Sequence, residues 1–310
     1  MFIVSFFLIA SVALTLQFGK HVSNHSLVMF LFFVLCYVLM HLLYLLVLYV
    51  LCLPCNRSKP IRRQRYIARL ACMSVSSILC SYMGVRVSVR GQKQLPGVDR
   101  TFVMVSNHRS ALDPLIVMDK LRVFNVSFVS KPENMNIPLV GTILHQAGFL
   151  SLDRDNDRKA LETIRTAAEY VKKGFCSMGI YPEGTRNQGD ELLPFHVGSF
   201  KLAQRANAPL VIACVRNTEN PQKFFTDRTK TAFLDILEVL TPEQVKSMST
   251  QQLCDYCRLR IQLCLYTPVD EDPTGPKPGS INMPEPEEDD YDDYDDYEDY
   301  EDETVPEETP

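Results

Sequence analysis

The stretch from Leu27 to Leu53 is apolar apart from His41, and no other part of the chain limits its fold so severely. As a helix it extends about 40 Å, enough to cross the roughly 30 Å hydrocarbon core of a bilayer with some tilt. Phe2–Leu16 is almost wholly apolar too, and shorter. We read the two as a membrane helix hairpin joined by a loop over 17–26; a membrane-embedded re-entrant pair is the alternative. A cleaved signal peptide fits less well, because the start carries no positive charge and no clean small-residue cleavage site follows. Arg57, Lys59, Arg62, Arg63, Arg65 and Arg69 come directly after the second stretch, against Lys20 and two histidines in the loop. Positive residues stay on the cytosolic side, so the body of the chain is expected to face the cytosol. Asn24-His25-Ser26 is a glycosylation sequon, expected to be unused so near both spans. Cys52 or Cys55, at the membrane boundary, is a candidate for palmitoylation.

Hydrophobic period organises the chain beyond these apolar stretches. Ile67, Leu70, Ala71, Val75, Ile78, Leu79 and Tyr82 recur at helical spacing, with arginines crowded at the N-terminal end. A helix of this kind lies among lipid headgroups or packs on a core, and the stripe is the same in both cases. Val85–Arg90 alternates like a strand with one buried face. Val103–Ser106, Val123–Val129, Phe149–Leu152, Cys176–Tyr181, Leu210–Val215 and Ala232–Val239 also read as strands. Ile143–Ala147, Lys159–Lys173, Ser199–Ala206 and Thr250–Tyr266 read as helices, the second stopped by Gly174. Strands alternating with helices mean an α/β domain with a central, mostly buried sheet. The expected division is a hairpin over 1–56, a basic amphipathic interfacial helix over 57–84, a catalytic domain over 85–268 and a disordered acidic tail over 269–310.

Charge separates that tail from the body. The formal net charge is −5, yet from Glu285 onward there are 16 acidic residues and no basic ones, which leaves 21 acids against 32 bases elsewhere, a net of +11. The tail has little apolar surface to bury and reads as solvated chain, or as a competitor with anionic lipid for the basic body. A basic body suits an anionic membrane surface and a phosphate-bearing substrate. Nucleic acid is not expected, since no zinc finger, RNA-binding signature or basic helix array is present. The ten cysteines lack the spacing of a disulfide scaffold or a zinc site. No metal is expected.

The chemistry-bearing stretch is Asn107-His108-Arg109-Ser110-Ala111-Leu112-Asp113, between the strand at 101–106 and a helix expected to begin at Pro114. On one continuous helix His108 and Asp113 would diverge by about 140°, so a turn is needed to bring them together. A carboxylate on one ring nitrogen fixes the imidazole's tautomer and supports its cation once the other nitrogen takes a proton. Asp113 is equally suited to cap a helix, with His108 a satisfied loop residue. Downstream, Gly148-Phe149-Leu150-Ser151-Leu152-Asp153-Arg154 and Tyr181-Pro182-Glu183-Gly184-Thr185-Arg186 each close a strand in an arginine, and Pro209-Leu210-Val211-Ile212 opens another.

These four blocks, in this order, resemble the glycerolipid acyltransferases, specifically the 1-acyl-glycerol-3-phosphate (lysophosphatidic acid) acyltransferases, which carry N-H-x-x-x-x-D, G-x-I-x-x-D-R, F-P-E-G-T-R and a proline–apolar block. The resemblance implies a membrane-anchored O-acyltransferase of the endoplasmic reticulum that makes phosphatidic acid, with acyl-CoA as co-substrate, no cofactor, and lysophosphatidic acid and membrane lipids as partners. It implies His108 and Asp113 as the catalytic pair. Glu183, Gly184, Thr185 and Arg186 would form a phosphate loop, with Arg154 a second phosphate arginine. Asn107 and Lys131 complete the substrate-binding set, Asn107 steadying the His108 loop, and Pro209 shapes the acyl side of the cleft. Lys131-Pro-Glu-Asn departs from the family's K-x-E-L, His196 stands where relatives often have lysine, and Tyr181 replaces phenylalanine. His145 and His196 are read as structural. No G-x-S-x-G elbow is present, so direct attack without an acyl-enzyme is the economical route, and Ser110 is not a nucleophile. Rival readings are acylation of another lysophospholipid or of glycerol-3-phosphate, transacylation of lysocardiolipin, or an inactive membrane scaffold with an acidic interaction tail.

Overall fold

A computed structural model describes residues 2–19, 26–52 and 59–274, apart from residues 139, 155, 190 and 228. The sequon at Asn24, Cys55, Arg57 and the acidic run from Glu285 lie outside the described residues.

In chain order the helices are α1 (Phe2–Gly19), α2 (Ser26–Cys52) and α3 (Tyr66–Tyr82). Strand β1 (Arg86–Arg90), strand β2 (Val103–Ser106), α4 (Leu112–Lys120) and β3 (Val126–Ser130) follow. Next come α5 (Pro132–Asn136), α6 (Val140–Gln146), β4 (Leu150–Ser151), α7 (Asp157–Lys172) and β5 (Ser177–Ile180). The chain continues through α8 (Lys201–Ala206), β6 (Leu210–Arg216), α9 (Lys223–Thr226), β7 (Thr231–Leu240), α10 (Pro242–Lys246) and α11 (Thr250–Tyr266).

Among the described residues the strands form one seven-stranded sheet in the order β1-β7-β6-β2-β5-β3-β4. Every pairing is parallel except β6 with β7, so β2, β3, β4, β5 and β6 all release their C-terminal ends at one edge. Helices cover both faces, as the unbroken burial of the mostly apolar β2, β5 and β6 requires. Val103 and Val105 point into a core shared with α7, α8 and α11. Phe102 and Met104 point the other way, into a core shared with α3 and α4. Period-two alternation thus assigns neighbouring residues of one buried strand to different cores. Local chemistry starts the last two helices: Thr241 with Gln244 and Ser249 with Gln252 form reciprocal capping boxes.

The apolar N-terminal helices pair antiparallel. Phe18 stacks on Phe32, Ser11 Oγ approaches Met40 Sδ, and Phe7 packs its edge against His41 and Tyr44. Leu27–Val50 is long and apolar enough to cross a membrane, whereas Ser5–Phe18 is shorter. Helix α3 buries Ala68, Ala71, Cys72 and Cys80 in the domain core while Tyr66, Leu70, Leu79 and Tyr82 stay exposed. Core packing therefore accounts for one side of its stripe and leaves the other side open.

Several boundaries differ from the sequence reading. Helix α4 starts at Leu112 rather than Pro114. The strand expected from Val123 begins at Val126, because Arg122–Phe124 turns as a short 3-10 segment and Asn125 takes φ 53°. The strand expected over Phe149–Leu152 shrinks to two residues. Cys254 and Cys257 are both buried in the core beneath α11.

One charged cluster is structural. Asp235, wholly buried on β7, accepts from Arg216 Nε at 2.9 Å and from Arg90 Nη2 at 3.0 Å. Arg90 and Arg216 also carry the chain after α11, donating to the carbonyls of Val269 and Glu271 and of Thr267. Removing one partner of a buried pair strands the other charge, at a cost of about 3–5 kcal/mol. Asp235→Ala should therefore lower the thermal unfolding midpoint of detergent-solubilised protein sharply, and adding Arg216→Met should recover part of the loss. An Asp235→Ala midpoint equal to wild type would show that the cluster contributes nothing.

Candidate active site

The sheet edge where β2, β3, β4 and β5 end is where the sequence placed its polar blocks, and it borders a cavity of about 1450 Å³. The crevice beyond the carboxyl ends of parallel strands is the usual ligand position in open α/β sheets. His108 follows β2, Lys131 follows β3, Arg154 follows β4, and Gly184, Thr185 and Arg186 follow β5; all six line the cavity.

His108 Nδ1 lies 2.8 Å from Asp113 Oδ2. The carboxylate is wholly buried and collects three further donors. Oδ2 accepts the backbone N–H groups of Arg109 and Ser110 at 2.7 Å each, and Oδ1 accepts the Thr218 hydroxyl at 2.6 Å. Four donors compensate for a carboxylate's lost hydration. Asp113 is thus no cap for α4, since it bonds the loop before the helix, and Ala111 occupies the N-cap position. His108 Nε2 has no partner among the described residues. Ser110 Oγ accepts from Leu112 N, inside the turn.

An aromatic column carries the imidazole. The His108 ring stacks on Tyr181 at 4.2 Å between centroids and 13° between planes, and Tyr181 stacks on Phe128 at 5.3 Å and 4°. A Cβ on Gly179, mid-strand in β5, would collide with the Phe128 ring. A glycine inside a strand commonly marks such a close approach. Burial pushes the Tyr181 phenol well above its ordinary pKa, the charge of Asp113 adding to it.

Three residues named from the sequence as substrate contacts lie elsewhere. Asn107 is fully buried and spends its amide on Val215, donating from Nδ2 to the carbonyl at 2.9 Å and accepting from the N–H at 2.8 Å; it steadies the loop and does not line the cavity. Glu183 is also a brace, its Oε1 accepting from His108 N at 2.8 Å and its Oε2 from Leu193 N at 3.1 Å. Pro209 is at the far end of the sheet: its carbonyl accepts from Val103 N, at the start of β2. Five residues of strand separate it from the level of Asn107, about 17 Å, so it cannot shape the cleft.

Gly184 has φ +75°, and a Cβ there would run into the Arg154 guanidinium and close on His196 Nε2. Arg154 donates to the Gly184 carbonyl, which joins the two arginine blocks. Arg186 and Lys131 are exposed and form no ion pair with a described residue. His196, read as structural, lines the cavity, as do Arg158, Arg165 and Lys201. Arg158 and Arg165 fall seven apart on the amphipathic pattern of α7, a spacing that puts them on one face, and that was the available signal. Thr218 had none in the sequence.

The sequence profile described as Acyltransferase matches residues 86–216, which contain every cavity-lining residue. That stretch of the chain is similar to the acyltransferase family. It is 32% identical over 182 residues to human (Homo sapiens) 1-acyl-sn-glycerol-3-phosphate acyltransferase beta, covering 57% of this chain and 63% of that protein. It is 33% identical over 159 residues to the 1-acyl-sn-glycerol-3-phosphate acyltransferase of Salmonella typhimurium, covering 50% and 63%. The matches thus span less than two thirds of those relatives' own length. The crystal structure of the 1-acyl-sn-glycerophosphate (LPA) acyltransferase PlsC from Thermotoga maritima superposes with a TM-score of 0.55 at 22% identity, covering 76% of this chain and 91% of that one. The chain therefore shares that α/β fold, with a mixed central sheet flanked by helices.

Within the domain, the Tyr181 hydroxyl is buried and has no hydrogen-bond partner among the described residues. Stranding such a group costs about 1–3 kcal/mol. Tyr181→Phe keeps the ring stack and should raise the unfolding midpoint in detergent, by an amount equivalent to about 1 kcal/mol. A lower midpoint would mean the hydroxyl has a partner in solution.

Proposed function

We propose that the chain is a membrane-anchored O-acyltransferase that moves an acyl group from acyl-CoA to the free hydroxyl of 1-acyl-sn-glycerol-3-phosphate, forming phosphatidic acid. The observation that carries this reading is the His108–Asp113 pair opening onto a cavity that Arg154 and Arg186 also line. Nδ1 is occupied by a buried carboxylate, so Nε2 is the basic nitrogen on offer. It takes the proton of the acceptor hydroxyl as that oxygen attacks the thioester carbonyl. The tetrahedral oxyanion collapses with cleavage of the C–S bond, and the imidazolium returns its proton to the departing thiolate, leaving the ester and free CoA. General-base help of this kind is typically worth about 10²–10⁴-fold.

The acceptor's phosphate belongs with the arginines. A guanidinium pairs two phosphate oxygens in a planar fork, and Arg186 is exposed, unpaired among the described residues and beside Gly184, where the backbone comes close. Apolar lining from Phe128, Val129, Phe149, Leu152, Leu161 and Ile164 suits acyl chains. That mixture favours a phosphate-monoester lysolipid over glycerol-3-phosphate, which has no chain to place there.

Membrane anchoring rests on α1 and α2, and orientation on Lys59, Arg62, Arg63, Arg65 and Arg69 beside α2, which favour the cytosolic face. An endoplasmic reticulum location follows from the expected product.

His108→Ala should reduce acyl transfer by at least about 10²-fold while the protein stays in the membrane fraction; retained turnover in a radiolabelled acyl-CoA assay would sink the base assignment. Arg186→Ala should chiefly raise the KM for the phosphorylated acceptor. An effect confined to acyl-CoA would mean that the two substrate ends are exchanged.

A further inference from the structure

The cavity holds more positive charge than one phosphate monoester needs. Lys131, Arg154, Arg158, Arg165, Arg186 and Lys201 line it against Glu133, Asp157 and Glu162. Arg154 and Arg186 adjoin the Gly184 turn, near His108. Arg158, Arg165 and Lys201 form a different group. Arg158 and Arg165 lie two turns apart on one face of α7, about 10 Å, and Lys201 opens α8, which packs on α7. All three are exposed and make no ion pair with a described residue, and Glu162, between the two arginines in sequence, is paired with neither. Mutually repelling cations left without carboxylate partners on a concave wall are arranged for a multiply charged anion.

The position of that wall narrows the choice of anion. Helix α2 packs on α3 and α6, and α3 belongs to the core on one face of the sheet. Helices α7 and α8 belong to the core on the other face. The cationic wall therefore stands on the side of the sheet turned away from the apolar helix pair, where a water-soluble ligand arrives.

We propose that Arg158, Arg165 and Lys201 form a second anion subsite, which grips the nucleotide phosphates of the thioester donor while the Arg154–Arg186 end holds the acceptor's phosphate. The inference rests on the acyltransferase reading and adds to it the residues that recognise the donor's carrier. Leu161, between the two arginines on α7 and also lining the cavity, gives the same wall an apolar surface that suits an acyl-pantetheine arm.

The test compares two donors in the full-length protein reconstituted in vesicles of neutral lipid with about 20% anionic lipid, an order-of-magnitude match to a charged membrane surface of roughly −30 mV. One donor is a long-chain acyl-CoA; the other is the same acyl group on pantetheine, which lacks every phosphate. Wild type should show a KM for acyl-CoA lower by about tenfold or more. In the R158A/R165A/K201A variant that advantage should fall to about twofold, with kcat and the KM for the lysolipid little changed. An undiminished advantage overturns the subsite. Equal loss on both donors, with loss of the stimulation by anionic vesicles, assigns the cations to the lipid surface and also overturns it. A turnover-free measurement separates this inference from the acyltransferase reading: binding of adenosine 3′,5′-bisphosphate by calorimetric titration of wild type and variant. Binding that the variant loses supports the subsite even where no transfer occurs, in which case the acyltransferase reading fails alone. No binding to wild type overturns the subsite whatever the rate of transfer.

Discussion

Everything at this site hangs on a carboxylate that has been taken out of water. Asp113 is wholly buried, and an ionised group there persists only where fixed donors replace its hydration. The four donors come from two places in the chain: the 108–110 turn, and Thr218 beyond the end of β6. The carboxylate therefore joins the ends of two adjacent strands as well as orienting an imidazole. Asn107 repeats the join through the Val215 backbone, and Glu183 ties the same turn to the loop after β5. The His108 turn is held from three sides by groups that never touch the cavity. Placing a reactive side chain to a fraction of an ångström requires that kind of second layer.

The aromatic column shows the same economy in the apolar direction. A histidine free on one ring face could swing about its side-chain torsions. Stacked on Tyr181, which is stacked on Phe128, it is restrained in plane as well as by Asp113. The column exists because Gly179 offers no side chain to displace Phe128. Its root thus lies in β5, a strand whose own end carries the Glu183–Arg186 loop. The His108 imidazole and the Glu183–Arg186 loop share one support.

How much of this the sequence could tell depends on the kind of contact involved. Order and type of the main elements were legible because burial on both faces makes β2, β5 and β6 mostly apolar, and the amphipathic period of α7 is strong. Which strand ends meet at the cavity was legible only through the resemblance, since sheet order is a long-range property. The residues that lie away from the cavity share one cause. Asn107, Glu183 and Pro209 stand inside the recognisable blocks, and a block does not distinguish a side chain that meets a ligand from one that holds the backbone around it. Pro209 erred furthest because a strand has two ends about 20 Å apart, and the motif stands at the start of β6 while the cavity is at its finish. Thr218 was invisible for the opposite reason: a lone hydroxyl outside any block, which matters only through a partner 105 positions away.

The relation of the apolar helix pair to the site comes from the packing around α3. On its outer side the Tyr44 hydroxyl of α2 donates to Ser74 Oγ at 2.6 Å, and the Tyr82 hydroxyl lies 3.0 Å from His41 Nε2. On its inner side α3 packs against α4, the helix that carries Asp113. Packed helices lie about 8–10 Å apart, so a single helix thickness separates α2 from the element that holds the buried Asp113 carboxylate. His41, the one residue that interrupts the apolar run, is spent on this joint: Nδ1 lies 2.8 Å from the Tyr37 carbonyl and Nε2 meets Tyr82. Polar groups cost free energy in an apolar helix and persist there where they find partners. Their place at the α2–α3 contact, and not along the outer face, argues that they set the rotation and depth of the domain against α2. A bilayer around α2 would then lie against the α3 side of the sheet, and the cavity would open between lipid on that side and water on the side of α7.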